Sequence, residues 1–285
     1  MVCKGVHDVS SLTFGAGFVI TEPIKLGYHS YFACAQSLAT FCDEVVVICG
    51  RREEESESLL RSIPNVRVIN TDAWPIDYNH DHMYSHYQAI FDNATTDVVL
   101  KVDSDCIFQS LHNVTRDVIM SSIDDAAHAY VGRVNFHGKN VFSVNHNQDT
   151  FAINLKFLRD SGVGFHISNF KPIFTHKVLE RRITAGKVYP INYDCTFMTR
   201  KQVIYKWRAW HKGLVKASGT EHRCLYMTDD EVLNDFVQYH CAKRKSSMMI
   251  SNIKHPLFAQ DLIATLTHEQ WGFDNFETNV SEICS

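Results

Sequence analysis

The sequence predicts an α/β fold, built as a doubly wound and mostly parallel sheet. Short apolar runs alternate with helix-length amphipathic stretches between residues 11 and 108, which is the order of a βαβ protein. The runs are continuously apolar, as parallel strands covered on both faces are, and turn residues separate them. The composition agrees, because 45% apolar and 21% charged residues are ordinary values for a globular enzyme.

The first half of the chain supplies the regular part of this fold. Helices are predicted where apolar residues recur at a spacing of three or four, and strands where several apolar residues run together. The predicted elements are strand 11–20, helix 28–41, strand 44–49, helix 53–62, strand 65–69, helix 81–93 and strand 97–102. Right-handed crossovers would bring the carboxyl ends of the strands to one edge of the sheet, where ligands bind.

The second half is less regular. The predicted elements are helix 114–123, strand 129–134, a pair of strands within 141–156 around the polar turn 146–148, strand 187–199 and helix 228–240. Thr228 is a plausible N-cap of the last helix, with three acidic residues in the first turn behind it. Because no repeat or linker divides the chain, we expect a single domain over residues 1–285.

Charge and cysteine usage restrict the class of protein. A net charge of −4 gives no reason to expect nucleic acid as a partner. The nine cysteines form no C-x-x-C pair, so free buried thiols in a reducing compartment are expected. The first eight residues lack a signal-peptide pattern, and no stretch approaches the roughly 18 apolar residues that span a bilayer. These features predict a cytoplasmic protein without a membrane span.

Asp103-Ser104-Asp105 follows the last predicted strand of the first half. Residues i and i+2 of a strand point to the same face, so the two carboxylates can be aimed at one spot on the ligand-binding edge. Mg²⁺ or Mn²⁺ shared with substrate phosphates would neutralise them through oxygen ligands. The other interpretation is a solvated strand end with two acidic turn residues.

Residues 11–108 resemble the nucleotide-binding half of GT-A fold glycosyltransferases. The resemblance lies in a helix that ends in the phrase 37–44, the apolar strand 45–48 after it, and strand 98–102 closed by the Asp-x-Asp. Capsid-glycan transferases of large algal viruses are one group that it is similar to, which would place the protein in the host cytoplasm. The resemblance implies that residues 11–108 bind a nucleotide sugar and residues 109–285 bind the acceptor and complete the catalytic site.

The resemblance also implies an activity. It is the transfer of a hexosyl or pentosyl group from a nucleoside-diphosphate sugar, with UDP as the expected nucleotide. The acceptor would be a hydroxyl of an oligosaccharide or a glycoprotein glycan, and the cofactor Mn²⁺ or Mg²⁺. Whether the anomeric configuration is inverted or retained stays open.

Donor residues follow from the same resemblance. Asp105 would bind the metal that bridges the diphosphate, and Asp103 the ribose or the metal. The acidic residue often found after the second strand is replaced here by Cys49-Gly50-Arg51. Base and ribose recognition would therefore pass to Glu22, Arg51 and Asp72, each of which could equally be a loop charge. Trp74 could stack on the base or cap the core.

Catalytic residues are expected in the second half, where Thr228–Asn234 resembles the acidic helix start beneath the acceptor in these enzymes. Asp230 is the first candidate for the general base, followed by Asp229 and Glu231. Acidic residues at a helix start also stabilise the helix dipole without any catalysis. The remaining candidates are Asp149 and Asp194 as weaker carboxylates, His255 as a further metal ligand with His240 and His268 in competition, and Lys254, Arg200 or Arg223 against the diphosphate.

Two other functions fit the sequence less well. A nucleotidyltransferase that makes sugar nucleotides would carry a glycine-rich phosphate loop with a basic residue after the first strand, but Gly15-Ala16-Gly17 lies inside the predicted strand and no lysine follows it. A noncatalytic sugar- or nucleotide-binding module would bind UDP without ever releasing it from a sugar donor.

Overall fold

A computed structural model describes residues 12–71, 74, 80–109, 112–136, 142–145, 150–183, 190–218, 223–246, 249–250 and 254–265. The strands are β1 Phe14–Ile20, β2 Glu44–Cys49, β3 Val66–Asn70, β4 Val98–Lys101, β5 Cys106–Ile107, β6 His128–Val131, β7 Arg133–Phe136, β8 Phe142–Asn145, β9 Phe151–Asn154, β10 Phe165–Ser168, β11 Lys171–Phe174, β12 Glu180–Ile183, β13 Ile191–Asn192 and β14 Met249–Ile250. The helices are α1 Pro23–Leu26, α2 Tyr31–Ala39, α3 Glu54–Arg61, α4 His80–Asn93, α5 His112–Ile123, α6 Leu155–Ser161, α7 Arg200–Ser218, α8 Asp229–Ser246 and α9 Leu257–Ala264, with a 3₁₀ helix at Arg223–Leu225.

The central sheet has seven strands in the order β12-β6-β9-β4-β1-β2-β3. The strands β3, β2, β1 and β4 are parallel to one another, as are β12 and β6, and β9 runs antiparallel to both of its neighbours. The α/β fold with a mostly parallel sheet is therefore confirmed. The division into a single domain and two functional halves stays a prediction.

Strand β2 shows why its apolar run is continuous. Val45 and Val47 pack in the core cluster on one face of the sheet, with residues of α2 and α9. Val46 and Ile48 pack on the other face, with residues of α4 and α6. Both faces of the strand are covered, so every side chain of the run is apolar. The sheet is thus wound on both faces, as predicted.

Two smaller sheets complete the fold. One has the order β14-β8-β7-β13-β5. Its edge strand β5 follows β4 in the sequence after a gap of four residues. The other is the hairpin of β10 and β11, joined by Asn169 and Phe170, both with positive φ (50° and 61°). These connections bring β13 and the hairpin tip towards the ligand-binding edge.

Three sequence predictions for the second half were wrong in detail. The expected strand pair within 141–156 does not form, because β8 pairs with β7 and β14 whereas β9 joins the central sheet between β4 and β6. The strand expected over 129–134 is divided between β6 and β7, and of the strand expected over 187–199 the described part, residues 190–199, forms a strand only at Ile191–Asn192. An apolar run predicts a strand but not its partners, which long-range packing selects.

A third core cluster joins α7 to α8. Val203 and Trp207 of α7 pack against Val232, Phe236 and neighbouring residues of α8. Six cysteines are buried and take part in no disulfide: Cys34, Cys42, Cys49, Cys106, Cys195 and Cys224. Within the described ranges, no helix has the length and apolar character needed to cross a membrane.

Candidate active site

A cavity of about 440 Å³ opens at the carboxyl ends of β1, β2 and β4. Because these strands are parallel, the residues that follow them meet at one edge of the sheet. Its sheet side includes Thr21, Arg51, Asp103, Ser104 and Asp105. Its opposite wall comes from α7 and α8 and includes Tyr205, Lys206, Trp207, Trp210, Phe236 and Tyr239. The size is that of a small-molecule site.

Asp103 is held between two cations. Its Oδ1 lies 2.7 Å from Nζ of Lys101, and its Oδ2 lies 2.9 Å from Nη1 of Arg133. Tyr87 donates a longer hydrogen bond to Oδ1 (3.3 Å), and the Lys101 ammonium lies 4.0 Å from the centre of the Tyr87 ring. Burial opposes the charge on Asp103, but Lys101 and Arg133 outweigh it and hold the pKa of this carboxyl below its ordinary value. Both oxygens of Asp103 are therefore already neutralised.

Asp105, unlike Asp103, has a neutral amide as its hydrogen-bond partner. Asn192 donates to its Oδ1 at 2.6 Å, and the main-chain N–H of Tyr193 donates to its carbonyl oxygen at 2.9 Å. Its Oδ2 accepts no hydrogen bond from the part of the chain that the structure describes. Burial, followed by the charge of Asp194, raises the pKa of the Asp105 carboxyl to about 6. This carboxylate lines the cavity with one oxygen available to a ligand.

Asn192 links Asp105 to a second carboxylate. While its amide nitrogen donates to Asp105, its amide oxygen accepts from the main-chain N–H of Asp194 at 3.3 Å. Asn192 is 3% exposed, so its amide is fixed in place by its surroundings. Cys195 follows in the left-handed region (φ 60°), which turns the chain from β13 into the cavity wall.

Lys206 of α7 neutralises this second carboxylate. Its Nζ lies 2.5 Å from Oδ1 of Asp194 and 5.0 Å from the centre of the Tyr28 ring. Burial opposes the charge on Lys206, but Asp194 outweighs it and holds the pKa of the ammonium well above its ordinary value. The cavity therefore contains a permanently charged lysine beside two carboxylates.

Of the residues expected to recognise the base and ribose, Arg51 and Trp74 line the cavity. Arg51 donates from Nε to the carbonyl oxygen of Trp74 (3.2 Å) and pairs through Nη1 with Glu22 (3.0 Å). Glu22 also pairs with Lys25 at 2.6 Å, and the pKa of Glu22 is lowered chiefly by that hydrogen bond. Arg51 and Trp74 face the cavity, and Glu22 orients Arg51. Asp72 lies outside the described residues.

Trp74 both lines the cavity and packs against the chain. A Cβ added at Gly50 would lie 2.8 Å from Cβ of Trp74, so only glycine permits this close approach. The indole also meets the ring of His86 edge-on, with centroids 5.0 Å apart. Its two predicted roles are thus compatible in one position.

The acidic start of α8 does not reach the cavity. Glu231 accepts from the main-chain N–H and the hydroxyl of Thr228, both at 2.8 Å, which is a capping box. Asp229 and Asp230 form ion pairs with arginines of α7, and their side chains are 71% and 83% exposed. The geometry favours the helix-capping interpretation, and the catalytic role of these three residues stays a prediction.

The predicted histidine ligand lies behind the site. Nδ1 of His255 is 2.8 Å from the hydroxyl oxygen of Tyr193, and its ring packs edge-on against Phe136. Burial lowers the pKa of His255. It does not line the cavity, although Tyr193 directly precedes Asp194. Asp149, His268 and the side chain of His240 lie outside the described residues.

The three basic residues expected against a diphosphate also lie elsewhere. Arg200 pairs with Asp230, Arg223 pairs with Asp235, and the carbonyl oxygen of Lys254 accepts from Gln109. None of the three lines the cavity. The cations that do line it are Arg51, Arg133 and Lys206.

Sequence reasoning missed Arg133, Asn192 and Lys206, and ranked Asp194 low. Asn192 and Asp194 could have been found from the sequence, because the phrase Asn192-Tyr193-Asp194 places two polar residues at the end of a short strand. No comparable signal marked Lys206, whose ammonium meets Asp194 only because α7 packs against the sheet edge.

The donor set of the cavity suits a hard divalent cation. Ligand atoms of Asp103, Asp105 and Cys106 lie within 4.8 Å of one another, but Cys106 is buried and Asp103 is occupied by its two cations. Asp105 Oδ2, together with the nearby carboxylate of Asp194, offers the oxygen ligands that Mg²⁺ and Mn²⁺ prefer. The residues present therefore fit such an ion, with Asp105 as its principal ligand.

Comparisons with known proteins give distant similarities. No protein-family model matches the chain, and no curated protein matches it significantly. Among solved structures, S. aureus TarS 1-349 is 15% identical over 80% of each chain, with a TM-score of 0.45. HddC from Yersinia pseudotuberculosis is 10% identical over 64% of this chain and 94% of its own, with a TM-score of 0.41.

A third solved structure is the mannosyltransferase PcManGT from Pyrobaculum calidifontis, in complex with GDP-Man and Mn²⁺. It is 12% identical over 95% of this chain and 83% of its own, with a TM-score of 0.39.

Proposed function

We propose that this chain is a metal-assisted glycosyltransferase that moves a sugar from a nucleoside-diphosphate sugar to an acceptor hydroxyl. The observation that carries the proposal is the Asp105 carboxylate. It lies after a buried parallel strand, offers one free oxygen to a cavity of about 440 Å³, and has cations beside it. Such an arrangement suits a ligand that brings both a divalent ion and phosphate groups.

The donor would lie along the sheet edge. Arg51 and Trp74, which line the cavity, would hold the nucleoside, since the indole offers a face for stacking and the guanidinium offers donors. Lys206 and Arg133, which also line it, would meet the diphosphate beside Asp105. A bound Mn²⁺ or Mg²⁺ would supply Lewis-acid stabilisation of the leaving diphosphate. UDP is the nucleotide that we expect.

Asp103 and Asp105 would have different tasks. Asp103 positions Lys101 and Arg133 through its two ion pairs, so it holds the cationic side of the site in place. Asp105, which lacks such partners, would ligate the ion. This division departs from the expectation that Asp103 binds the ribose or the metal.

Asp194 is the carboxylate that we propose for the chemistry at the sugar. It lines the cavity near Asp105, and its Oδ1 pairs with Nζ of Lys206 at 2.5 Å. A carboxylate there could accept the proton of the acceptor hydroxyl or lie against the anomeric carbon, and either stereochemical outcome is compatible with this position. The aromatic wall of α7 and α8 would hold a glycan acceptor, because sugar C–H groups pack on indole and phenol rings.

A panel of nucleotide sugars tests the proposal. Mn²⁺-dependent release of UDP or GDP from a member of the panel would support it. Saturable nucleotide binding with no release under any metal or acceptor condition would favour a noncatalytic module. Release of pyrophosphate from a nucleoside triphosphate and a sugar phosphate would favour a nucleotidyltransferase.

The glycines of β1 argue against a nucleotidyltransferase. A Cβ at Gly15 or Gly17 would lie 2.3 Å from side-chain atoms of Thr96 or Ile90, respectively. The two glycines therefore allow close packing against neighbouring elements within the sheet and do not form a phosphate loop.

The proposal also includes a cytoplasmic location for the protein, which would be the host cytoplasm if the chain is viral.

A further inference from the structure

Outside the cavity lining, three side chains that can ligate metals meet between α7, the 3₁₀ helix and α8. They are His211, Cys224 and Asp235. His211 is 3% exposed and Cys224 is fully buried, while Asp235 keeps 16% of its side chain exposed. One ligand atom of each lies within 4.8 Å of the others. The three residues come from three separate elements, so the fold itself creates the cluster.

The separations are close to those of a coordination shell. Nε2 of His211 lies 3.7 Å from Oδ2 of Asp235, and Sγ of Cys224 lies 3.1 Å from the same oxygen. With metal–ligand bonds of about 2.0–2.3 Å, tetrahedral zinc holds its ligand atoms about 3.3–3.8 Å apart. Both separations reach this range through shifts of about half an ångström or less.

The carboxylate also has the outer partners of a metal ligand. Arg223 donates from Nη2 to Oδ1 of Asp235 at 2.9 Å, and Trp207 donates from Nε1 to Oδ2 at 3.0 Å. Such hydrogen bonds fix the orientation of a ligating carboxylate before the ion arrives. Asp235 is therefore held with its Oδ2 towards His211 and Cys224.

The ligand types select the metal. A thiolate with an imidazole suits zinc, whereas Mg²⁺ and Mn²⁺ prefer oxygen ligands alone. We propose that His211, Cys224 and Asp235 bind a zinc ion that ties α7 to α8. Three protein ligands leave a fourth position for water. This site is separate from Asp105 and does not depend on the proposed sugar transfer.

The position of the cluster indicates its purpose. Trp207 lies one helical turn before His211, and Phe236 follows Asp235 directly; both line the cavity. An ion here would hold the two helices that form the cavity wall at a fixed separation. We therefore assign it a structural task in shaping the wall opposite the sheet.

Cobalt substitution tests the ligand set. Co²⁺ is titrated into chelator-treated protein, and the thiolate-to-cobalt charge-transfer absorption is recorded. Cys106, beside Asp103 and Asp105, is the thiol of the other cluster among the described residues, so Cys106→Ser is the matched control. We expect the band in the wild type and in Cys106→Ser, and its loss in Cys224→Ser. No band in the wild type, or a band that survives in Cys224→Ser, overturns the proposal.

Thermal unfolding with zinc provides a second, independent measurement. Zinc is expected to raise the melting temperature of the wild type and of Cys42→Ser, whose buried cysteine lies in another core cluster. The same zinc concentration is expected to leave the melting temperature of His211→Asn unchanged. Absence of a shift in the wild type would mean that the three residues form a hydrogen-bonded cluster only, and an equal shift in His211→Asn would also overturn the assignment.

Discussion

Asp103 and Asp105 differ in character although they follow the same strand. Asp103 is neutralised by Lys101 and Arg133, whereas Asp105 faces Asp194 and keeps one oxygen free. The i, i+2 spacing predicts that both carboxylates reach one edge of the sheet. It does not predict their partners, because Arg133 and Asp194 arrive from distant parts of the chain. The motif could thus be located from sequence, but not the division of tasks within it.

Asp105→Asn is expected to stabilise the metal-free protein at pH 7.5. The pKa of Asp105 is about 6, above the ordinary value of a carboxyl, so the folded state binds this proton more tightly than the unfolded chain. The resulting stability is complete below about pH 4 and is lost as the pH rises through 6. Removing the charge should therefore add on the order of 1–3 kcal/mol at pH 7.5.

Urea unfolding in the presence of a chelator measures this effect. The advantage of Asp105→Asn should shrink as the pH falls from 7 to about 4, because the wild-type carboxyl becomes protonated too. A variant less stable than the wild type at pH 7.5 would contradict the electrostatic account of Asp105.

Lys101→Met is expected to destabilise the fold strongly. Lys101 is fully buried and pairs with Asp103, so its loss leaves a partly buried carboxylate with one cation instead of two. Because Arg133 still compensates part of the charge, we expect a cost of about 1–3 kcal/mol. Lys156→Met is the matched control, since Lys156 pairs with Asp160 at the surface and its loss should cost under about 1 kcal/mol. Equal midpoints in denaturant for the two variants would refute the prediction.

At the scale of elements, the helix start at Asp229 illustrates how one pattern serves two interpretations. The capping box of Thr228 and Glu231 and the ion pairs to α7 account for every acidic residue in this turn. The sequence predicted the helix and its cap, because capping is local. The sequence does not predict which face of α8 lines the cavity. In the structure, Phe236 and Tyr239 of α8 line it.

Thr228→Ala and Asp230→Asn separate the two interpretations of this turn. Loss of the cap in Thr228→Ala should cost about 0.5–2 kcal/mol of stability, measured by chemical denaturation. Neither change should alter turnover more than twofold once a donor is known. A fall in turnover of a hundredfold or more in Asp230→Asn would restore the general-base hypothesis for this carboxylate.

At the scale of the whole molecule, the four parallel strands of the first half were predictable, whereas the extent and pairing of the strands in the second half were not. Strands β1 to β4 are short apolar runs with helices on both faces, so each carries its own signal. Strand β9 carries a similar run, but its place between β4 and β6 is decided by packing at long range. The same holds for β13, which carries Asn192 and directly precedes Asp194, and for α7, which carries Lys206.

Gly17→Ala tests the close packing of the central sheet. An added Cβ would lie 2.3 Å from Cγ2 of Ile90 and 2.7 Å from the carbonyl oxygen of Val46, so either α4 or β2 must move. Overpacking of this kind costs about 1–3 kcal/mol. Gly164→Ala is the control, because its added methyl meets only the side chain of Thr175 at 3.2 Å. A thermal unfolding midpoint equally low in both variants would contradict this account of the sheet.

The most direct test of the proposed chemistry compares two carboxylate variants on an active donor. Release of nucleoside diphosphate from a nucleotide sugar is measured with and without Mn²⁺ for the wild type, Asp105→Ala and Asp125→Asn. Asp125→Asn is the control, because Asp125 forms an exposed ion pair with Arg181. We predict Mn²⁺-dependent release by the wild type and by Asp125→Asn, and none by a folded Asp105→Ala. Release by Asp105→Ala at the wild-type rate, with the same dependence on Mn²⁺, would contradict the account.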